Sequence, residues 1–219
     1  MSDAVFADTR QALLIAYMVS ALEPRQPAPF RKALIRAMEA QEHLTGQQEA
    51  WLAQLRGTPA ESTVNFGGLT SDEVRAQCSA VISAVNSKLP APEQWVVRAR
   101  FIPTEHEDVG AHGSRTKRYF YSRDRLEAIR QLARWLPEGL CPVTGLALDM
   151  LTARVFADGE KLAISFRDMA TAFGGNHMTY ARAYPKLRAR LIELEKVAVG
   201  RLTPYFERTG LIEAEESVA

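Results

Sequence analysis

Apolar residues recur at helical spacing along most of this chain of 219 residues. An apolar residue at every third or fourth position is typical of amphipathic helices. The sequence therefore predicts an all-α fold with at most one short hairpin, for which Thr63–Phe66 and Thr116–Tyr121 are the candidate strands. The predicted helices cover about 3–22, 30–45, 47–56, 92–102 and 142–157, with another starting after Thr70 and another ending near Leu136.

One segment has the composition of a linker. Residues 57–69 combine glycine, proline, serine and threonine, which favour turns over helices. We therefore expect an N-terminal helical region at 1–57 and a second helical region at 70–219. Within the second region, the polar and glycine-containing residues 103–114 predict a loop.

Several classes of protein are excluded by simple features. No apolar run approaches the roughly 18–20 residues that a membrane span needs. The N-terminal segment lacks the basic start of a signal peptide. The two cysteines, Cys78 and Cys141, have no metal-ligand spacing. We expect a cytoplasmic protein with reduced thiols and with no membrane partner, cofactor or metal.

The signals for local structure are densest between residues 162 and 191. Ser165 is followed three residues later by Asp168, as at the start of a helix. Gly174 and Gly175 allow the positive φ of a tight turn, and Asn176 suits the cap of a following helix. The pattern predicts a short helix, a glycine turn and a second helix at about 165–191.

The second of these helices has a predicted inner and outer side. Tyr180 and Ala183 are expected to face inward and Arg182 outward. Pro185 is expected to kink the helix or to start a new one. Further along, an apolar stripe predicts intramolecular packing, with the seam of a homodimer as the alternative; its residues are Leu187, Leu191, Leu194 and Val197.

This arrangement resembles the helix-turn-helix of sigma-factor region 4 and its response-regulator relatives. Met169 takes the apolar position of the first helix, and Ala170 takes the small one. Gly175 departs from the family, which has an apolar residue at that point of the turn. The resemblance covers residues 162–191 and implies a transcription regulator that binds duplex DNA.

The same resemblance implies which residues contact DNA. Base edges or phosphates would be met by the turn and the start of the second helix, namely Asn176, His177, Met178, Thr179, Ala181 and Arg182. Beyond Pro185, the phosphate contacts would come from Lys186, Arg188 and Arg190. From the residues alone, an ordinary helical hairpin with a solvated basic face remains the alternative.

A second basic stretch lies at 115–134, which contains seven Lys and Arg residues but only two acidic residues. Three aromatic residues, 119–121, interleave with the cations, and this mixture suits phosphates and stacked bases. Its candidate contacts are Arg115, Lys117, Arg118 and Arg123. An edge strand or a helix start, neutralised by nearby acids, is the alternative. The formal net charge of +1 excludes only binding by the whole surface.

Catalytic interpretations find little support in the sequence. His106, Asp108 and His112 could be imagined as metal ligands, but no cysteine or histidine pair with zinc spacing accompanies them. His112 and Arg115 match the His-x-x-Arg of tyrosine recombinases, yet the chain lacks the long helical catalytic domain of such enzymes. We therefore expect no enzymatic activity.

Two functions from different classes remain. The first is a sequence-specific regulator of transcription; small proteins of this kind resemble phage and prophage regulators, including late-gene antiterminators, which would add RNA polymerase as a partner. The second is a helical protein-interaction or assembly module without DNA binding. Such a module would expose an apolar surface on the helices of 3–56 and bury 177–190.

Overall fold

The computed structural model confirms the all-α fold with one short hairpin. It describes residues 4–21, 30–41, 45–56, 71–109, 116–157 and 164–213. In chain order, the elements are α1 (Thr9–Ala21), α2 (Phe30–Glu39), α3 (Gly46–Arg56), α4 (Ser71–Lys88), α5 (Ala91–Phe101), β1 (Thr104–Val109), β2 (Thr116–Tyr121), α6 (Arg123–Trp135), α7 (Gly145–Val155), α8 (Phe166–Phe173) and α9 (His177–Arg208).

The chain forms two compact units. The first consists of Met1–Pro90 together with Val197–Ala219, and the second is Ala91–Lys196. The predicted linker at 57–69 and the candidate strand at 63–66 lie outside the described residues. Helix α9 supplies residues to both units.

The first unit is built around α1, which is apolar on nearly all sides. Leu13 and Ile15 are fully buried, as expected of a helix without a polar face. The two ends of the described chain meet here. The hydroxyls of Thr9 and Thr203 are 2.8 Å apart, and Phe6 N donates to Leu211 O at 3.0 Å. The core of this unit therefore needs residues from both ends of the sequence.

The cysteines are free thiols, and Cys78 is buried in α4. Burial raises the pKa of the Cys78 thiol from 9.0 to about 12, against a weaker opposite effect of Arg75. The thiol therefore stays protonated near neutral pH, which makes it a packing residue and not a nucleophile.

The sequence predicts a loop at 103–114. This prediction is wrong for residues 104–109, which form β1. This strand pairs antiparallel with β2, which was a candidate strand, and the register places Glu107 opposite Arg118 and His106 opposite Tyr119. Glu107 Oε1 lies 3.5 Å from Arg118 Nη1, and the rings of His106 and Tyr119 lie 5.9 Å apart. Cross-strand pairs of this kind stabilise a strand that is too polar to be recognised by itself.

The centre of the second unit contains a buried arginine, Arg125 of α6. Its Nε donates to Ala99 O at 2.9 Å and its Nη2 donates to Phe156 O at 2.6 Å. The guanidinium carbon also lies 4.9 Å from the centre of the Tyr121 ring. Counting Arg125 in a solvent-facing basic stretch is therefore wrong, because carbonyl acceptors and an aromatic face make burial of its side chain acceptable.

Replacing Arg125 by alanine is expected to lower the free energy of unfolding by roughly 2–5 kcal/mol, since two buried carbonyl groups lose their donors. Urea denaturation followed by circular dichroism measures this change. Arg123→Ala, on the exposed first turn of the same helix, is the control and is expected to change the stability by under about 0.5 kcal/mol. Equal losses in the two variants would contradict the structural role of Arg125.

Candidate nucleic-acid interface

Helix α8 begins at the predicted cap. The Ser165 hydroxyl accepts the N–H of Asp168 at 3.1 Å and donates to the Asp168 carboxylate at 2.6 Å. Met169 is fully buried, whereas Phe173 at the end of the helix is 39% exposed. The helix is thus anchored by its middle, and its last turn lies at the surface.

The turn after α8 has the backbone that the two glycines allow. Gly174 has φ 80° and ψ 177°, and Gly175 has φ 83°. Asn176 Oδ1 accepts the N–H of Met178 at 2.9 Å, as a cap does. The Tyr180 hydroxyl donates back to Gly174 O at 2.8 Å, so α9 is fixed to the turn that precedes it.

The start of α9 has the predicted orientation. Tyr180 and Ala183 are only 5% and 2% exposed, and Arg182 is exposed. Leu187 and Leu191 are buried, as the apolar stripe predicts. The prediction is wrong at Val197, which is exposed.

The stripe that is actually buried in α9 follows a different course after Leu191. It continues at steps of three and four residues, through Glu195, Ala198, Leu202 and Phe206. Glu195 can belong to it because its Oε2 accepts the Nε–H of Arg100 at 2.9 Å.

Helix α9 continues through Pro185 from His177 to Arg208, so no new helix starts there. A proline inside a helix removes one backbone hydrogen bond and costs about 3 kcal/mol. Buried side chains lie on both sides of it, at Ala183 and Leu187, and Pro185 itself is exposed. Packing of these flanking residues offsets the local cost.

Arg154 of α7 connects the two helices of this motif, and the sequence analysis gave it no role. Its guanidinium carbon lies 4.6 Å from the ring centre of Phe166 and 5.7 Å from that of Tyr184. Its Nη1 donates to Ile164 O at 2.5 Å, while its Nε is buried with no hydrogen-bond partner in the described part of the chain. Cation–π attraction therefore contributes much of what holds Arg154 between α8 and α9.

Most of the residues that the resemblance assigns to DNA are at the surface. Thr179 is half-buried, and the exposed ones are Asn176, His177, Met178, Arg182, Lys186, Arg188 and Arg190. Because Arg182, Lys186 and Arg190 are four residues apart, they follow one side of the helix. The guanidinium of Arg190 lies 5.3 Å from the ring centre of Trp135, which steadies this side chain.

The stretch at 115–134 does not present its cations as one patch. Lys117, Arg118 and Arg123 are exposed, but Arg118 faces Glu107 across the hairpin. Arg115 lies outside the described residues, and Arg125 is buried. The positive charge that this stretch offers to a ligand is therefore smaller than its count of Lys, Arg, Asp and Glu residues predicts.

Neither a metal centre nor a membrane span is found among the described residues. Among the described residues, no group of three or more His, Cys, Asp and Glu side chains could hold a metal ion. His106 lies in β1, and His112 lies outside the described ranges. The described helices include none that is both long and apolar enough to cross a membrane.

Comparisons with known proteins gave no relative: no protein-family model matches the chain, and no curated protein matches it. The resemblance to sigma-factor region 4 therefore stays a prediction. The geometry of α8, the glycine turn and α9 is the main support for a function.

Gly174→Ala is expected to destabilise the protein by about 1–3 kcal/mol, because φ 80° with ψ 177° is strained for any residue that has a Cβ. The same substitution at Gly200, inside α9, is expected to stabilise it by about 0.5–1 kcal/mol. A Cβ at either position meets no atom within 4 Å, so the backbone alone decides the sign. Thermal denaturation compares the two variants, and shifts of the same sign would contradict the turn geometry.

Proposed function

We propose that this chain is a sequence-specific regulator of transcription that binds duplex DNA through the N-terminal half of α9. One observation carries the proposal: Tyr180 and Ala183 hold this half of the helix inward while its cations point to solvent. A helix anchored on one side and cationic on the other suits the major groove.

The electrostatics of this segment favour an anionic partner. Residues 176–192 contain four Lys and Arg residues and no Asp or Glu. No ion pair between these cations and a carboxylate is found among the described residues. Phosphates of DNA would neutralise them and release counterions, which supplies affinity at low salt.

Sequence recognition is assigned to the first two turns of α9 and the residue before it. His177 and Thr179 can form hydrogen bonds with base edges, and Arg182 can form two with guanine. Asn176 Oδ1 already accepts the N–H of Met178, so its amide N–H groups are what it can offer to DNA. Lys186, Arg188 and Arg190 would hold phosphates.

The competing function, a helical protein-interaction or assembly module, has less support. Among the residues of 4–56 whose side chains the structure describes, no large apolar side chain is exposed. The residues of 177–190 include exposed cations and are not sequestered as a group. Both observations favour DNA binding over that alternative.

The narrower parts of the proposal rest on the basic and aromatic composition of 115–134 and on the resemblance to sigma-factor region 4. We propose that Lys117, Arg118 and Arg123, with Arg115, add contacts to the DNA backbone. RNA polymerase as a partner and a phage-type role in antitermination follow from the same likeness. A homodimer would suit a two-fold symmetric DNA site.

The test is binding of random-sequence duplex DNA by the full chain at several salt concentrations. The wild type is expected to bind at low salt and to weaken as salt rises. Arg182→Ala/Lys186→Ala/Arg188→Ala is expected to reduce the slope of log K against log salt by about two, since Lys186 and Arg188 each lose a phosphate contact that contributes about 0.9. Fluorescence anisotropy of labelled DNA measures both quantities.

The matched control removes as many cations from the first unit. Arg36, Arg201 and Arg208 are exposed there, and their triple alanine variant changes the net charge by the same amount. Its slope is expected to stay near that of the wild type. Absence of binding at low salt, or equal slopes for the two triple variants, would refute the proposed function.

A further inference from the structure

A cleft runs along the cationic side of α9 in the second unit. It is a cavity of about 530 Å³ between the segment Leu140–Pro142 and the helix. Arg182 and Lys186, one turn apart, line it together with Thr179, while Leu140, Pro142 and Ala183 give it an apolar wall. Two cations and a hydroxyl at one apolar cleft can bind a single anionic group.

A second cavity, of about 680 Å³, adjoins the first, because Leu140 and Cys141 line both. Its lining combines apolar side chains with three charged ones, and Leu146, which is 67% exposed, is one of the apolar residues. The charged side chains lining this cavity are Arg134, Glu138 and Asp149, whose formal sum is negative. The formal charges therefore direct an anionic group to the first cavity and away from the second, where Leu136, Val143, Leu146 and Leu148 offer contacts to an apolar chain.

We propose that these two cavities form one binding site for a small amphipathic anion, a ligand with a carboxylate or phosphate head and an apolar chain. The head binds between Arg182 and Lys186, with Thr179 as a donor, and the chain passes Leu140 and Cys141 to reach the second cavity. The volumes are those of sites for small organic ligands. A phosphate ion without an apolar chain would not occupy the second cavity.

Such a ligand would act on the proposed DNA interface, and this regulatory consequence rests on the proposed function. Arg182 and Lys186 cannot neutralise a DNA phosphate and the ligand head at the same time. Binding of the ligand therefore lowers the affinity for DNA, and binding of DNA lowers the affinity for the ligand to the same extent.

The ligand site is tested without DNA, by isothermal titration calorimetry of the full chain. The probes are decanoate and decyl phosphate, with decanol lacking the charge and acetate lacking the chain. At about 1 mM, at least one of the two anions is expected to bind, and the comparison between them identifies the head group. Decanol and acetate are each expected to bind at least tenfold more weakly.

Two pairs of variants locate the site. Arg182→Ala/Lys186→Ala is expected to weaken binding of the anion at least tenfold, whereas Arg167→Ala/Lys196→Ala, which removes as many exposed cations but lines neither cavity, leaves it unchanged. Leu146→Asp replaces an apolar contact of the second cavity by a further negative charge and is expected to weaken binding at least tenfold. Its control, Leu126→Asp, changes a residue of α6 that is 37% exposed and lines neither cavity.

Several results would overturn the ligand site: no binding of either anion, decanol binding as tightly as the anions, or Leu146→Asp and Leu126→Asp behaving alike. Competition with labelled duplex DNA then tests the regulation. An anion that binds without displacing DNA refutes the regulatory role alone. A chain that binds the anion but no DNA refutes the proposed function and leaves the ligand site in place.

Discussion

The buried guanidinium of Arg125 donates hydrogen bonds to the carbonyl oxygens of Ala99 and Phe156. These bonds fix the C-terminal end of α7, on which the candidate interface depends. Phe156 follows the last residue of α7. Within three residues of it, Ala153 O accepts the Tyr121 hydroxyl at the base of the hairpin. Arg154 lies against the rings of α8 and α9. The C-terminal end of α7 is therefore the junction at which the hairpin, α6, α8 and α9 are joined.

This junction explains how the cations of α9 are held in place although α8, the glycine turn and α9 have few contacts with one another. Helix α8 is short, and its last turn is exposed, so it could not orient α9 by itself. The Arg154 contacts and the hydrogen bond from Tyr180 to Gly174 supply that orientation. Side chains presented from a fixed helix lose less freedom on binding than side chains on a loop, and more of each contact then contributes to affinity.

Features that depend on residues close in the sequence could be predicted, whereas features that depend on residues far apart could not. The cap at Ser165 and the glycine turn involve residues a few positions apart, and the structure confirms them. Strand β1 was missed because its partner lies across the hairpin, and Arg125 was misread because its acceptors are 26 and 31 residues away. The roles of Arg154 and of the cleft beside α9 likewise depend on side chains brought together only by folding.

The meeting of the chain's two ends in the first unit sets an order on its assembly. During synthesis, α1 is made before α9, but the contacts from Thr9 and Phe6 require Thr203 and Leu211. The second unit is continuous in sequence and can fold while the C-terminal residues are still being made. Until those residues have been made, the apolar side chains of α1 that they cover stay exposed. The newly made chain thus passes through a stage in which the apolar side of α1 needs shielding from other chains.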